Sequence, residues 1–283
     1  CGNEVDSEAP MVKKYIIDSL KHWMLDYHVN GFRFDLMGVL SKETMKEIYD
    51  ELYKIDPKVM VYGEPWTGGT ALVVNGANQA VNSNPYGAGA FDDDFRDAVK
   101  GAEFGGFQMG QVQGTFKDNE IIAGLTGKTG KNKRNETGKP SLAMHYVECH
   151  DNYTLFDKLA ISYWMKKNNK TTVTSGDLFT KIGTDGVAEV AKQDTLSAAY
   201  IFLSQGTAFI NGGQEFLRSK RGDENSYKSP IGKNGIDLNF ANTYSDVCNT
   251  YKGLIALRQA NLNAFGSGNS ATATTVSTGV TKY

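Results

Sequence analysis

Apolar residues recur at helical spacing from Pro10 to Tyr27, at Val12, Ile16, Ile17, Leu20, Trp23, Met24 and Tyr27, behind Ser7 and Glu8, which suit a helix start. The pattern then shortens. After Asn30-Gly31, the stretch Phe32 to Val39 interleaves Phe32, Phe34 and Leu36 with Arg33 and Asp35, and predicts a buried strand. A second helix is expected over Lys42 to Tyr53, with Met45, Ile48, Tyr49 and Leu52 on one face and Asp56-Pro57 as its stop. VMVYGEPW follows as a strand running into a loop. The rhythm continues with strand-like AFDDDF, a helix over Arg96 to Lys100, strand-like AMHYVECH, a helix over Leu155 to Lys166, a helix near Gln193 to Leu203, the strand GTAFINGG, and a helix over Tyr244 to Arg258. Strands alternating with helices predict βα units and a parallel sheet, hence an α/β fold. No short internal repeat accompanies them, which disfavours a solenoid.

Two stretches, Gly114 to Pro140 and Lys166 to Gly186, read as long polar surface loops, and their basic residues read as solvated charges. From Gly266 the chain turns to small and β-branched residues, as the start of a β-rich segment would. Net charge is -2, with 30 basic against 32 acidic residues, so no electrostatic footprint for nucleic acid is present. No apolar run has the length of a membrane span, and no membrane partner is expected. The opening residues do not have the pattern of a signal peptide. Cys1, Cys149 and Cys248 are widely spaced, without the pairing of a metal or redox site. Asp92-Asp93-Asp94 lacks the spaced ligands and Gly of a calcium loop and reads as a solvated or helix-starting turn. No cofactor is expected, although a calcium ion elsewhere is compatible with the chain. The Asn-x-Thr sequences at Asn135, Asn152 and Asn169 are what chance supplies in a polar chain.

Carboxylates recur at the carboxyl ends of predicted strands: Asp35 in FRFDLMG, Glu64 in VYGEPW and Asp151 in VECHDN. In parallel α/β folds that edge carries catalytic groups, although one carboxylate after a strand is as often a cap or an ion-pair partner. Three in that position suit glycoside cleavage with retention, which needs one carboxylate to attack and another to donate a proton. Arg33, two residues before Asp35, would lie on the same strand face and keep it ionised. Glu64 precedes Pro65 and Trp66, and a carboxyl beside an indole suits a general acid.

GFRFDLMG, YGEPW and VECHDN resemble conserved regions of the α-amylase family of glycoside hydrolases, which is built on a (β/α)8 barrel. The Y-G-E-P-W form, together with Y-V-E-x-H-D-N-x-T-L-x-D-K-L and QEFLRSKRGDENSYKSP, resembles type I pullulanases more than α-amylases or isoamylases. The resemblance implies hydrolysis of α-1,6 branch links in an α-glucan. It implies Asp35 as nucleophile, Glu64 as proton donor and base, and Asp151 as stabiliser of the oxocarbenium-like transition state. It also implies Arg33 and His150 as hydrogen-bonding partners of the cleavage subsite, with Trp66 and Met37 shaping subsites around the branch.

The chain departs from that pattern in three ways. Cys149 stands where related enzymes usually have Ser, and it reads as a packing residue. Ile231 stands where they usually have Asp, and Ile236-Asp237-Leu238 ends where they have Trp, which bears on a distal donor subsite. Nothing corresponds to the family's early strands or to its D-x-x-x-N-H motif, so about the last five βα units of a barrel are expected over residues 1-265, followed by the start of a β domain over 266-283. The missing amino-terminal part of the same enzyme is the expected partner beside the glucan. A bacterial source is implied, with a secreted, cell-surface or cytoplasmic location left open. An α-1,4-acting relative and a non-catalytic glucan-binding component are the competing readings.

Overall fold

The computed structural model describes residues 5–67, 73, 76–77, 87–104, 107–127, 140–265, 274–277 and 280–282. The chain divides into two compact units, residues 1–92 with 127–144 and residues 93–126 with 145–283.

In the first unit, α1 (Pro10–Tyr27) starts with Pro10 in its first turn, behind Ala9. Ser7 does not cap it: Ser7 is buried, and its carbonyl accepts the Thr44 hydroxyl at 3.2 Å. β1 (Gly31–Phe34) is shorter than the expected strand, because Leu36 takes a left-handed backbone and Met37–Val39 coil into a 3-10 turn. α2 (Lys42–Tyr53) is capped by the Ser41 side chain, which accepts from the Thr44 N–H at 3.1 Å. β2 (Met60–Gly63), β3 (Gly89–Phe91) and β4 (Ala143–His145) complete a parallel run with β1, each strand paired to the next. Met37, Met45, Ile48, Leu52, Val61 and Ala90 form this unit's core. Burying each such side chain contributes about 1.5–3 kcal/mol.

In the second unit, α3 (Asp93–Lys100) begins with Asp93 and Asp94 in its first turn, where carboxylates suit a helix amino terminus. Asp92 just before it is buried rather than solvated. α4 (Asp118–Leu125) lies inside a stretch expected to be loop, of which residues 128–139, including Asn135, are outside the described residues. α5 (Leu155–Lys167) follows β4, with Thr154 as its cap. α6 (Leu178–Phe202) begins well before the expected helix, so the second expected loop is partly helical. Asp177 caps it, and Gly183, at φ 69, breaks it near its start. β5 (Thr207–Ala208) lies beside the end of β4, with the Phe209 N–H donating to the His145 carbonyl at 2.9 Å. The strand order is therefore β1-β2-β3-β4-β5, the order of consecutive units in a parallel barrel wall. α7 (Ile231–Asn234), α8 (Asn239–Thr243) and α9 (Ser245–Ala260) follow. The tail carries a hairpin of β6 (Thr274–Ser277) and β7 (Val280–Lys282). Phe95, Leu155, Phe156, Leu159, Val190, Ile201 and Tyr251 belong to the second core.

Candidate active site

In the first unit the ends of β1 and β2 meet around one guanidinium. The strands pair in register from Gly31 with Met60 to Phe34 with Gly63, so the residues just beyond them, Asp35 and Glu64, leave side by side. Gly63 permits this approach: a Cβ there would lie 2.6 Å from the Phe34 carbonyl oxygen and 2.9 Å from the Met37 Cβ. Arg33 donates from one terminal nitrogen to Asp35 Oδ1 and from the other to Glu64 Oε1. Glu64 Oε2 accepts the Leu36 N–H at 2.8 Å, a bond that depends on the left-handed turn at Leu36. Oxygens of Asp35 and Glu64 lie within 4.8 Å of each other. The two carboxylates differ in surroundings: the Asp35 side chain is 65% exposed and that of Glu64 is 7% exposed. Arg33 thus binds both carboxylates, where the strand pattern pointed to Asp35 alone.

Trp66 is half-buried, and its carbonyl accepts the Gly38 N–H at 3.2 Å, which ties the loop after β2 to the turn after β1. Met37 is fully buried in the core beneath these strand ends and presents no surface to a ligand.

The second unit carries His150 and Asp151 on the loop between β4 and α5. Both are exposed, with His150 Nε2 3.6 Å from Asp151 Oδ1. Cys149 Sγ lies 3.3 Å from His150 Nδ1, and the thiol is half-buried. Asn152 in this loop adopts a left-handed backbone, at φ 61.

Two buried acids around this loop escaped the sequence reading. Glu148, 1% exposed, accepts the Leu155 N–H and the Asn211 side-chain N–H, each at 2.8 Å. Burial pushes its carboxyl up to about 7, while these donors and the charges of Lys100 and Arg218 pull the other way. Asp157, in the first turn of α5, accepts the Ser219 hydroxyl at 2.5 Å, the Lys220 N–H at 2.8 Å and the Gly222 N–H at 3.0 Å. An acid placed among apolar residues, as in YVEC and LFDKL, was the available signal.

No protein-family model matches the chain. It is 34% identical over 265 residues to a pullulanase of Bacillus subtilis (strain 168), an alignment covering 92% of this chain and 34% of the relative. Among solved structures, a pullulanase from Paenibacillus barengoltzii in complex with maltohexaose and α-cyclodextrin matches with a TM-score of 0.78 and 39% identity, over 92% of this chain and 38% of that one. A pullulanase from Bacillus acidopullulyticus matches with a TM-score of 0.77 and 35% identity, over 91% and 29%. The chain therefore spans about a third of the length of these relatives. Its parallel strand order and carboxylate-bearing strand ends, together with these matches, place the chain in the α-amylase family of glycoside hydrolases. Within that family it belongs with the type I pullulanases.

Proposed function

We propose that the protein to which this chain belongs hydrolyses α-1,6-glucosidic branch links in pullulan, starch, glycogen or limit dextrins with retention at the anomeric carbon. The observation that carries the reading is the pair of carboxylates at neighbouring strand ends, with oxygens within 4.8 Å and one guanidinium on both. Retaining glycosidases hold their carboxyl groups about 5 to 5.5 Å apart, whereas inverting ones leave about 6.5 to 9.5 Å for a water molecule.

In this reading the exposed Asp35 attacks the anomeric carbon while Glu64 gives its proton to the departing glycosidic oxygen. The bond from the anomeric carbon to that oxygen breaks, and a glycosyl ester forms on Asp35. Glu64, now a carboxylate, takes a proton from water, whose oxygen displaces Asp35. Asp151 stabilises the positive charge on the sugar ring in both steps. Arg33, His150 and Trp66 contact the glucan, and Met37 acts from beneath by supporting the strand ends. The carboxylates suffice for this chemistry without a cofactor. Residues 266–283 are read as the start of a β domain following the barrel portion. A slowly hydrolysed fluorinated glycosyl fluoride, incubated with the full-length protein, should leave its sugar on the peptide containing Asp35; an inverted product and no trapped ester would overturn the reading.

A further inference from the structure

The loop that presents His150 and Asp151 is held at both ends by one buried carboxylate that the chemistry above does not use. Glu148 precedes the loop, and its Oε2 accepts the N–H of Leu155, the first residue of α5, at 2.8 Å. Its Oε1 accepts Asn211 Nδ2 at 2.8 Å, and the same nitrogen donates to the Cys149 carbonyl at 3.2 Å. Asn211 follows β5, so residues 149–154 are fastened to the start of the next helix and to the segment after the next strand. We propose that Glu148, as the ionised carboxylate, is the positioning residue for His150 and Asp151, and that its protonation releases the loop that carries them. The effect on turnover rests on the glucan-hydrolase reading; the effect on the loop does not.

The donor set gives the direction. A backbone N–H and a side-chain amide N–H are donors only, so each needs a free lone pair on Glu148. Protonation removes the charge that strengthens both bonds and adds a buried O–H that needs an acceptor of its own, so the two fastenings weaken. Several charged or titratable groups face Glu148. Lys100 of α3, with Arg218 and Lys220 of the segment after β5, favours its charge. Asp194 of α6 and Tyr251 of α9 also face it; burial pushes both well up, which favours their neutral forms and so limits any repulsion of a charged Glu148. Burial opposes the charge on Glu148 more strongly than the cations and donors favour it, and its carboxyl sits at about 7. The loop is therefore fastened above about pH 7 and slackens below it.

The test is hydrogen–deuterium exchange over residues 149–155 in the full-length protein at about pH 6 and about pH 8, corrected for the intrinsic pH dependence of exchange. Protection in the wild type should rise about tenfold between the two, the equivalent of one hydrogen bond. In Glu148→Gln it should be low and equal at both. In Asn211→Ala the rise should move to higher pH, because a donor that favours the charged form is gone. If Glu148→Gln does not fold, the wild-type series and Asn211→Ala still decide. Equal wild-type protection at both values, or a wild-type rise retained in Glu148→Gln, would overturn the proposal. Pullulan kinetics provide the second readout: kcat should lose an acid limb near pH 7 in Glu148→Gln and fall about tenfold, with KM little changed. The expected exchange pattern without pullulan hydrolysis would support the positioning role and overturn the functional reading. Hydrolysis by an enzyme whose loop exchange does not depend on pH would do the reverse.

Discussion

Asp35 and Glu64 share one guanidinium but differ in their access to water, and that difference fits the roles proposed for them. The attacking group must reach the sugar, and Asp35 is the exposed one. The proton donor works best screened from bulk water, and Glu64 is buried. Asp35→Asn keeps the volume but removes the attacking charge, so turnover on pullulan should fall by about a thousandfold or more. Glucan binding, read by calorimetry, should persist. Wild-type-like rates in that variant would remove Asp35 from the role. Glu64→Gln should fail on pullulan and recover partly on substrates with activated leaving groups, which need less proton donation. Equal losses on both substrate types would argue against the acid role. Cys149 lies 3.3 Å from His150 Nδ1, a contact that a hydroxyl can also make. Cys149→Ser should change kcat/KM by about twofold or less, and loss of most activity would show that the thiol matters chemically.

α5 links the loop after β4 to the segment after β5 through its first turn. Asp157 there satisfies three donors from residues 219–222, so removing it strands two backbone N–H groups and a hydroxyl in a buried place. Asp157→Ala should cost about 2–3 kcal/mol in unfolding free energy, measured by denaturant titration. Burial pushes the Asp157 carboxyl up, against those same donors. A value raised on folding means that the contribution is full below the ordinary carboxylate range and is lost as pH rises through the folded value. The variant should therefore show a flatter stability profile above about pH 4 than the wild type. The same helix illustrates what its sequence could and could not reveal. The helix was legible as the run from Leu155 to Lys166, but Leu155 to Ser162 are all buried, so periodicity could not separate a core face from a solvent face. α6 was half-missed for the opposite reason. Leu178, Ile182, Gly186, Val190, Asp194 and Ala198 keep a spacing of four, yet Gly183 and the polar residues between them resemble a loop. β1 was over-extended because nothing local announces the left-handed turn at Leu36, which exists to bring its N–H to Glu64. The strand-end carboxylates were readable because each follows an apolar run. Glu148 has the same apolar approach, which signals its burial, but its role was not readable, because its partners, Leu155 and Asn211, are 7 and 63 residues away.

At the scale of the molecule, a net charge of -2, from 30 basic against 32 acidic residues, gives no electrostatic footprint for a polyanion and is compatible with an uncharged polymer. Among the described residues no helix is long and apolar enough to cross a membrane. Ile231 and Leu238, where the sequence departs from the pattern its pullulanase resemblance implies, are 87% and 72% exposed, and in the proposed function extra glucose units distant from the cut should add less to binding here. The bond actually cut is the property that separates the pullulanase reading from an α-1,4-acting relative, since the carboxylate pair serves both chemistries equally. Pullulan distinguishes them because it is a chain of maltotriose units joined by α-1,6 links. Cleavage of those links by the full-length protein should release maltotriose as the sole small product. Cleavage of α-1,4 links should instead release panose or isopanose, because each fragment then keeps an α-1,6 bond. Retention adds a second constraint: the newly freed reducing end should appear first as the α-anomer by proton NMR and only later mutarotate. Maltotriose with α-configuration is the expected result; panose or isopanose as the main product would move the chain's function to the α-1,4 side of its family, and a β-anomer would contradict the spacing of Asp35 and Glu64.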